Sequence, residues 1–310
     1  MATIIHTHAL SRTFGNVSAV RNMHLEVQEG EMFGLVGPDG AGKTTTLRML
    51  CGILAPTSGS ATILGMDILT HADSIKRHIG YLSQRFSLYG DLTVDENIEF
   101  FAEINKVYEY RQRRDELLEF TRLLPFRSRL AEQLSGGMKQ KLALACTLVH
   151  TPRIIFLDEP TTGVDPVSRR DFWKILQSLI RQGITIVMTT PYLDETERCT
   201  RVAFMSRGSI IQVDTPMKLK ELMAGEIVEI VCHPVRAALE VLRRLPLTRE
   251  VQAFGDRLNV VVENATRDVP SLLSALKEQK VSVTGWRTID PSLENVFISL
   301  LTLEPNEART

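Results

Sequence analysis

A chain of 310 residues exceeds one average domain, so a large folding unit and a smaller one are expected, each able to bury its own core. Lys plus Arg number 36 against 37 for Asp plus Glu, a net charge of -1 with no basic arm, which argues against nucleic acid as the main partner. Cys51, Cys146, Cys199 and Cys232 lie far apart with no CxxC pair, so neither a disulfide framework nor a zinc site is expected.

Met1 to Leu10 lacks the charged start and apolar block of a signal peptide, and no apolar run approaches the roughly 20 residues that cross a bilayer. Any membrane contact is therefore expected through a partner. Ile4-Ile5 and Val20 to Val27 read as antiparallel strands closed by a turn at Glu29-Gly30. The apolar Met32 to Val36, the glycine-rich Gly37 to Thr44 and the helically spaced Thr45 to Cys51 follow as strand, loop and helix. From Leu92 to Leu148 the apolar spacing is helical, a helical subdomain set inside an α/β core. Ile154 to Leu157 and Ile184 to Met188 are fully apolar, as central parallel strands are, and two short strands meet at Arg207-Gly208. Beyond Ala224 the order strand, helix, hairpin, helix, strand, helix predicts a ferredoxin-like α+β domain over 226–310, with the larger domain at 1–220 and its helical subdomain at about 92–150.

Gly37-Pro38-Asp39-Gly40-Ala41-Gly42-Lys43-Thr44 matches GxxxxGK[ST] between a strand and a helix. Backbone N–H groups of such a loop curl around phosphates, Lys43 brings a charge to the β and γ phosphates, and Thr44 offers its hydroxyl to Mg²⁺. The loop and Thr45 form the expected ATP-binding set. A Mg-nucleotide site also needs an acid at the end of a neighbouring strand, and Asp158 follows Ile154 to Leu157 directly. Glu159 next to it can polarise an attacking water and is the expected catalytic residue. Alone, an Asp-Glu pair is an ordinary solvated helix start; the upstream loop gives this one its weight.

Leu134-Ser135-Gly136-Gly137-Met138 precedes a helix expected to begin near Lys139, and here the sequence resembles the ATP-binding cassette (ABC) family, whose signature is LSGGQ or LSGGM. A serine and two glycines at a helix N-terminus present a hydroxyl and bare N–H groups to an anion, a second phosphate clamp. The resemblance implies an α/β P-loop cassette with a parallel core sheet, an antiparallel β subdomain and an inserted helical subdomain. It also implies a head-to-tail dimer with a second cassette, identical or different, in which Ser135, Gly136 and Gly137 complete the other subunit's site. By the same resemblance Phe14 stands where an aromatic stacks on adenine and Gln84 where a glutamine joins the metal site to the membrane partner. Asp165, in Gly163 to Pro166, stands where a loop crosses the dimer interface.

Two positions depart from the family pattern. Pro191, after Thr189-Thr190, replaces a histidine that contacts the γ-phosphate, and proline has neither a side-chain donor nor an N–H. Asp39 puts a carboxylate in a loop position that is usually uncharged. With Glu159 intact, a site that binds ATP and hydrolyses it slowly is expected. The set resembles the first ATPase half of tandem-cassette ABC-2 type multidrug exporters. That likeness implies ABC-2 type transmembrane permease partners and a peripheral position on the cytoplasmic face of the inner membrane. It also implies docking of a partner segment around Gln84 and residues 85–91. The other readings are a regulatory cassette that scarcely hydrolyses ATP and a soluble ABC ATPase acting on nucleic acid or ribosomes. The segment Asp290 to Phe297 resembles the ending of many ABC-2 exporter ATPases and reads either as a packing helix or as part of a dimer contact.

Overall fold

The structure, a computed structural model, describes residues 2–84 and 88–303; positions 85–87 of the expected docking segment lie outside them. The chain divides into two compact units, Met1–Asp214 and Thr215–Thr310.

In the first unit β1 (Thr3–Phe14) and β2 (Val17–Gln28) pair antiparallel. β3 (Met32–Val36) follows, then α1 (Lys43–Leu50), β4 (Ser58–Ile63), β5 (Met66–Asp67), α2 (Ala72–Lys76) and β6 (Ile79–Leu82). The helical stretch contains α3 (Val94–Ile104), α4 (Tyr110–Phe120) and α5 (Gly136–Leu148). The core resumes with β7 (Ile154–Asp158), α6 (Pro166–Arg181), β8 (Thr185–Thr190), α7 (Leu193–Thr196), β9 (Arg201–Ser206) and β10 (Ser209–Asp214). One sheet has the order β2-β1-β4-β5, and the central one β10-β9-β3-β8-β7-β6, parallel except for β10.

Local chemistry accounts for these elements. β3, β7 and β8 are buried at every position, which is why they read as unbroken apolar runs rather than alternating ones. α3 starts at a capping box in which Thr93 and Glu96 satisfy each other's backbone N–H. α6 begins at the Asp165 cap with Pro166 in its first turn and buries Phe172, Trp173, Leu176 and Leu179 on one stripe. One apolar cluster joins Ile5, Leu10 and Leu25 of the antiparallel sheet, Leu47 and Leu50 of α1, and Phe33, Phe156 and Val187 of the central sheet. That packing fixes α1 and the loop before it against the carboxyl ends of β3, β7 and β8. Two expected boundaries shift: α5 starts at Gly136 rather than near Lys139, because Ser135 already caps it, and β8 runs on to Thr190. β4, β5, α2 and β6 have no counterpart in the sequence reading.

The second unit contains α8 (Pro216–Lys220), β11 (Glu226–His233), α9 (Val235–Arg243), β12 (Thr248–Phe254), β13 (Arg257–Val262), α10 (Ala265–Glu278), β14 (Ser282–Ile289) and α11 (Leu293–Leu303). Its sheet has the antiparallel order β12-β13-β11-β14. Val228, Ile230, Leu258 and Val260 pack with Leu242 of α9 and Leu272 and Leu276 of α10 in one core. α11 is tied to β12 by Asn295, whose amide donates to Gln252 at 2.7 Å while its carbonyl accepts from Gln252 at 3.0 Å.

Candidate active site

A cleft of about 600 Å³ opens where the loop after β3 meets the ends of β7 and β8. This is the carboxyl edge of a parallel sheet, where α/β folds place ligands. Of the expected residues, Phe14, positions 39–45, Gln84, Glu159 and Pro191 line it. Gly42 holds φ near +101°, and a side chain there would press to 2.3 Å from the Ala19 carbonyl, so the loop's path requires glycine.

Lys43 is buried, and its ammonium donates to the carbonyls of Gly37 at 2.8 Å and Pro38 at 3.1 Å. The same nitrogen lies 3.6 Å from Glu159 Oε1, and both charges are nearly out of solvent. Buried charge is tolerated only when paired and hydrogen-bonded, and here it is both. Glu159 Oε2 also accepts from Gln84 Nε2 at 2.9 Å and from the Thr162 hydroxyl at 3.4 Å. The Glu159 backbone holds φ near +50°, fixed by its N–H donating to the Thr189 carbonyl and hydroxyl. A non-glycine residue in that region marks a constraint imposed by its surroundings.

Asp158 has no exposed surface. Its Oδ1 accepts from the hydroxyls of Thr44 at 2.9 Å and Thr189 at 2.8 Å, and its Oδ2 from the Tyr81 hydroxyl at 3.3 Å. Burial, then the Asp158 charge, pushes the Tyr81 hydroxyl up to about 12, so it stays a donor through the physiological range. Asp39 is exposed at the cleft rim, which screens its charge.

Ser135, Gly136 and Gly137 do not line this cleft. Ser135 and Gly136 are exposed at the start of α5, with the Ser135 hydroxyl accepting from the Met138 N–H at 3.3 Å. Gly137 is buried against the start of α6, where an added Cβ would stand 2.3 Å from Ser168 Oγ and 3.7 Å from Asp165 Oδ2. Asp165 in turn caps α6, accepting from the N–H groups of Val167 and Ser168 at 3.0 Å each. The hydroxyl of Ser168 and these N–H groups hold the Asp165 carboxyl below its usual range.

At the end of β8 Pro191 contributes no donor, and the next residue, Tyr192, lines the cleft under the Arg169 guanidinium, 5.0 Å from the ring centre. Behind them lies Glu195, a buried carboxylate that sequence reasoning missed. It accepts from the hydroxyls of Thr161 at 2.6 Å and Thr190 at 2.9 Å, with Arg169 Nε at 3.5 Å. Burial pushes this carboxyl above its usual value, and the two threonines and Arg169 oppose the shift. Thr162, Thr189, Tyr81 and Ala19 were likewise missed. Thr162 and Thr189 flank recognised motifs, a signal that was present, whereas nothing local marks Ala19.

Residues 20–162 match the ABC transporter family, and residues 215–301 match the C-terminal domain of ATP-binding proteins like DrrA1-3. The chain is 32% identical over 304 residues to the daunorubicin/doxorubicin resistance ATP-binding protein DrrA of Streptomyces peucetius, covering 96% of this chain and 92% of that one. It is 44% identical over 229 residues to the probable multidrug ABC transporter ATP-binding protein YbhF of Escherichia coli, covering 72% of this chain but 39% of that relative. The chain thus spans well under half the length of that relative. Among solved structures it is similar to cbiO1 of Clostridium perfringens, at TM-score 0.66 and 25% identity over 79% of this chain and 97% of that one. It also resembles a dimeric ATP-binding cassette in a post-hydrolysis state with ADP and Pi, at TM-score 0.61 and 26% identity over 68% and 98%. The fold is the α/β P-loop cassette, and the chain belongs to the ATP-binding proteins of ABC transporters. Among the described residues no helix is long and apolar enough to cross a membrane.

Proposed function

We propose that this chain is the ATP-binding and ATP-hydrolysing subunit of an ABC-2 type exporter for drugs or other amphipathic compounds, working as half of a cassette dimer. The observation that carries the reading is the meeting of Lys43 and Thr44 at the start of α1 with Asp158 and Glu159 at the end of β7, where the cleft opens. The drug-resistance relatives support export.

Thr44 and Asp158 suit Mg²⁺, a hard cation that takes a hydroxyl and one carboxylate and completes its shell with phosphate and water. When bound, the ion neutralises charge on the β- and γ-phosphate oxygens. Lys43 exchanges Glu159 for the phosphates, which frees the carboxylate to take a hydrogen bond from a water. As the water oxygen bonds to the γ-phosphorus, its proton passes to the Glu159 carboxylate, the bond to the bridging oxygen breaks, and ADP and phosphate form. Gln84 holds Glu159 in place meanwhile. Ser135 to Gly137 clamp the nucleotide of the second cassette, and Asp165 lies at that interface. Residues 1–214 act as the cassette and 215–310, α8 included, as the accessory domain. The permease docks around Gln84 and Leu88 to Asp91 and keeps the chain at the cytoplasmic face of the inner membrane.

Pro191 leaves the γ-phosphate without one donor, so this chain's own site turns over slowly. Loss of one contact to a developing charge costs about 10² to 10³ in rate. The test measures ATP binding and ATPase rate for the full chain, Pro191→His, and a mixture with its permease and a second cassette. Tight binding, a slow wild-type rate and a gain of roughly 10²-fold in Pro191→His are expected. A fast wild-type rate unchanged by Pro191→His defeats the slow-site reading, and failure to bind ATP defeats the whole proposal. Binding with no turnover in any mixture would favour the regulatory clamp, the reading to which Pro191 also lends support.

A further inference from the structure

We propose that the free edge of β14 pairs antiparallel with the same strand of a second copy of this chain, joining two C-terminal sheets into one. The proposal goes beyond the cassette reading and does not depend on nucleotide.

β14 ends the sheet order β12-β13-β11-β14 and pairs with β11 on one side only. Proteins blunt exposed edges with short strands, proline, or charges that point across the edge. β14 has eight residues and no proline, its one bulge is confined to Thr284, between the pairs Val231–Gly285 and Cys232–Val283, and its single Arg287 is drawn back over the sheet to Glu229 at 2.8 Å. Ser282, Thr284, Gly285, Trp286, Arg287 and Thr288 are all exposed. From Gly285 to Ile289 the edge is regular and open to a strand.

Beside it runs a groove of about 420 Å³ between β14 and α10, with Leu273, Val281 and Val283 as its apolar wall and Lys277 at its rim. Trp286 stands opposite the core residue Ile230, so it faces the helix-covered side of the sheet, and yet 49% of it is exposed. A strand lying along β14 closes this groove and covers the indole.

The residues on and beside the strand favour a second copy as the occupant. In an antiparallel self-pair centred on Trp286 the two indoles meet, an aromatic cross-strand pair of the favourable kind. Gly285, around which an added Cβ would find nothing within 4 Å, then stands opposite the partner's Arg287 and gives it room. The exposed Asp290 at the end of one strand comes beside residues 281–282 of the other, where Lys277 and Lys280 lie. Two-fold symmetry repeats that contact, so one strand supplies both halves of the complementarity.

The experiment is sedimentation of the nucleotide-free full chain over a range of concentrations, with Lys43→Ala as the background in which nucleotide-driven association is removed. A reversible dimer is expected in both. Trp286→Glu, at an exposed position that leaves the fold intact, raises its dissociation constant at least tenfold, while Trp286→Phe keeps it within about threefold. Lys277→Glu and Asp290→Lys each weaken the dimer, and the double variant recovers affinity. A chain that stays monomeric, or a dimer indifferent to Trp286→Glu, overturns the proposal. A dimer present only with ATP and lost in Lys43→Ala assigns association to the cassette and overturns it equally.

Discussion

The two compact units of this chain bury polar groups for different reasons. In the first unit, buried Lys43, Asp158, Glu159 and Glu195 come from the start of α1, the end of β7 and the segment after β8, and they lie along the carboxyl edge of the six-stranded sheet. In the C-terminal sheet, buried Glu229, Gln252 and Asn259 are ladder neighbours on successive strands, with Glu229 held by Arg257 and Arg287. Polar groups drawn together from distant segments leave a cleft between them. Those stacked along a ladder leave none. Convergence, rather than burial alone, separates a chemical site from a structural row.

The contrast predicts that damage to one unit spares the other's property. Leu272→Ala removes a fully buried side chain of the C-terminal core and is expected to cost about 2–5 kcal/mol there, read as faster proteolysis within residues 226–303, with ATP affinity unchanged. Lys43→Ala is expected to weaken ATP binding about 100-fold, roughly 2.7 kcal/mol by calorimetry, with proteolysis of the C-terminal unit unaltered. Gly137→Ala forces a methyl against Ser168 and is expected to lower stability by about 1–3 kcal/mol, which at about 2–4 °C per kcal/mol is a clear fall in Tm. Gly136→Ala, with open space around it, serves as the control and is expected to shift Tm far less.

The smallest effect is one of pH. Glu195 titrates above its ordinary value of 4.5 when folded, because burial disfavours its charge. Its contribution to stability is therefore full below that ordinary value and declines as pH rises through the higher folded one. The Tm of the wild type relative to Glu195→Gln is expected to fall from acid toward neutral pH. A flat difference would mean that the carboxyl does not titrate differently on folding.

Much of the site was legible because its chemistry is carried by contiguous residues. The loop from Gly37 to Thr44 and the Asp158-Glu159 pair each declare a strand end followed by a polar group, and the fully apolar β3, β7 and β8 announce the parallel core. Tyr81 and Glu195 were not legible as site residues, and Thr189, though beside a recognised motif, gave no sign of its partner, since these roles depend on strand order. Tyr81 reaches Asp158 only because β6 lies beside β7, and Thr189 because β8 lies on β7's other side. Residues 58–82 escaped the reading because β4, β5, α2 and β6 are short, and β4 leads with Ser58-Gly59-Ser60, which gives no apolar period. Pro191 shows the opposite case, in which a single missing side chain was visible in sequence and its structural neighbours Tyr192, Arg169 and Glu195 were not.

The contact of Gly137 with Ser168 leaves no slack between the first turns of α5 and α6. Packed interiors pass strain on rather than absorb it. Neither helix start can therefore shift toward the other without moving it, so substitutions that enlarge residue 137 or 168 should displace both Ser135 and Asp165 together.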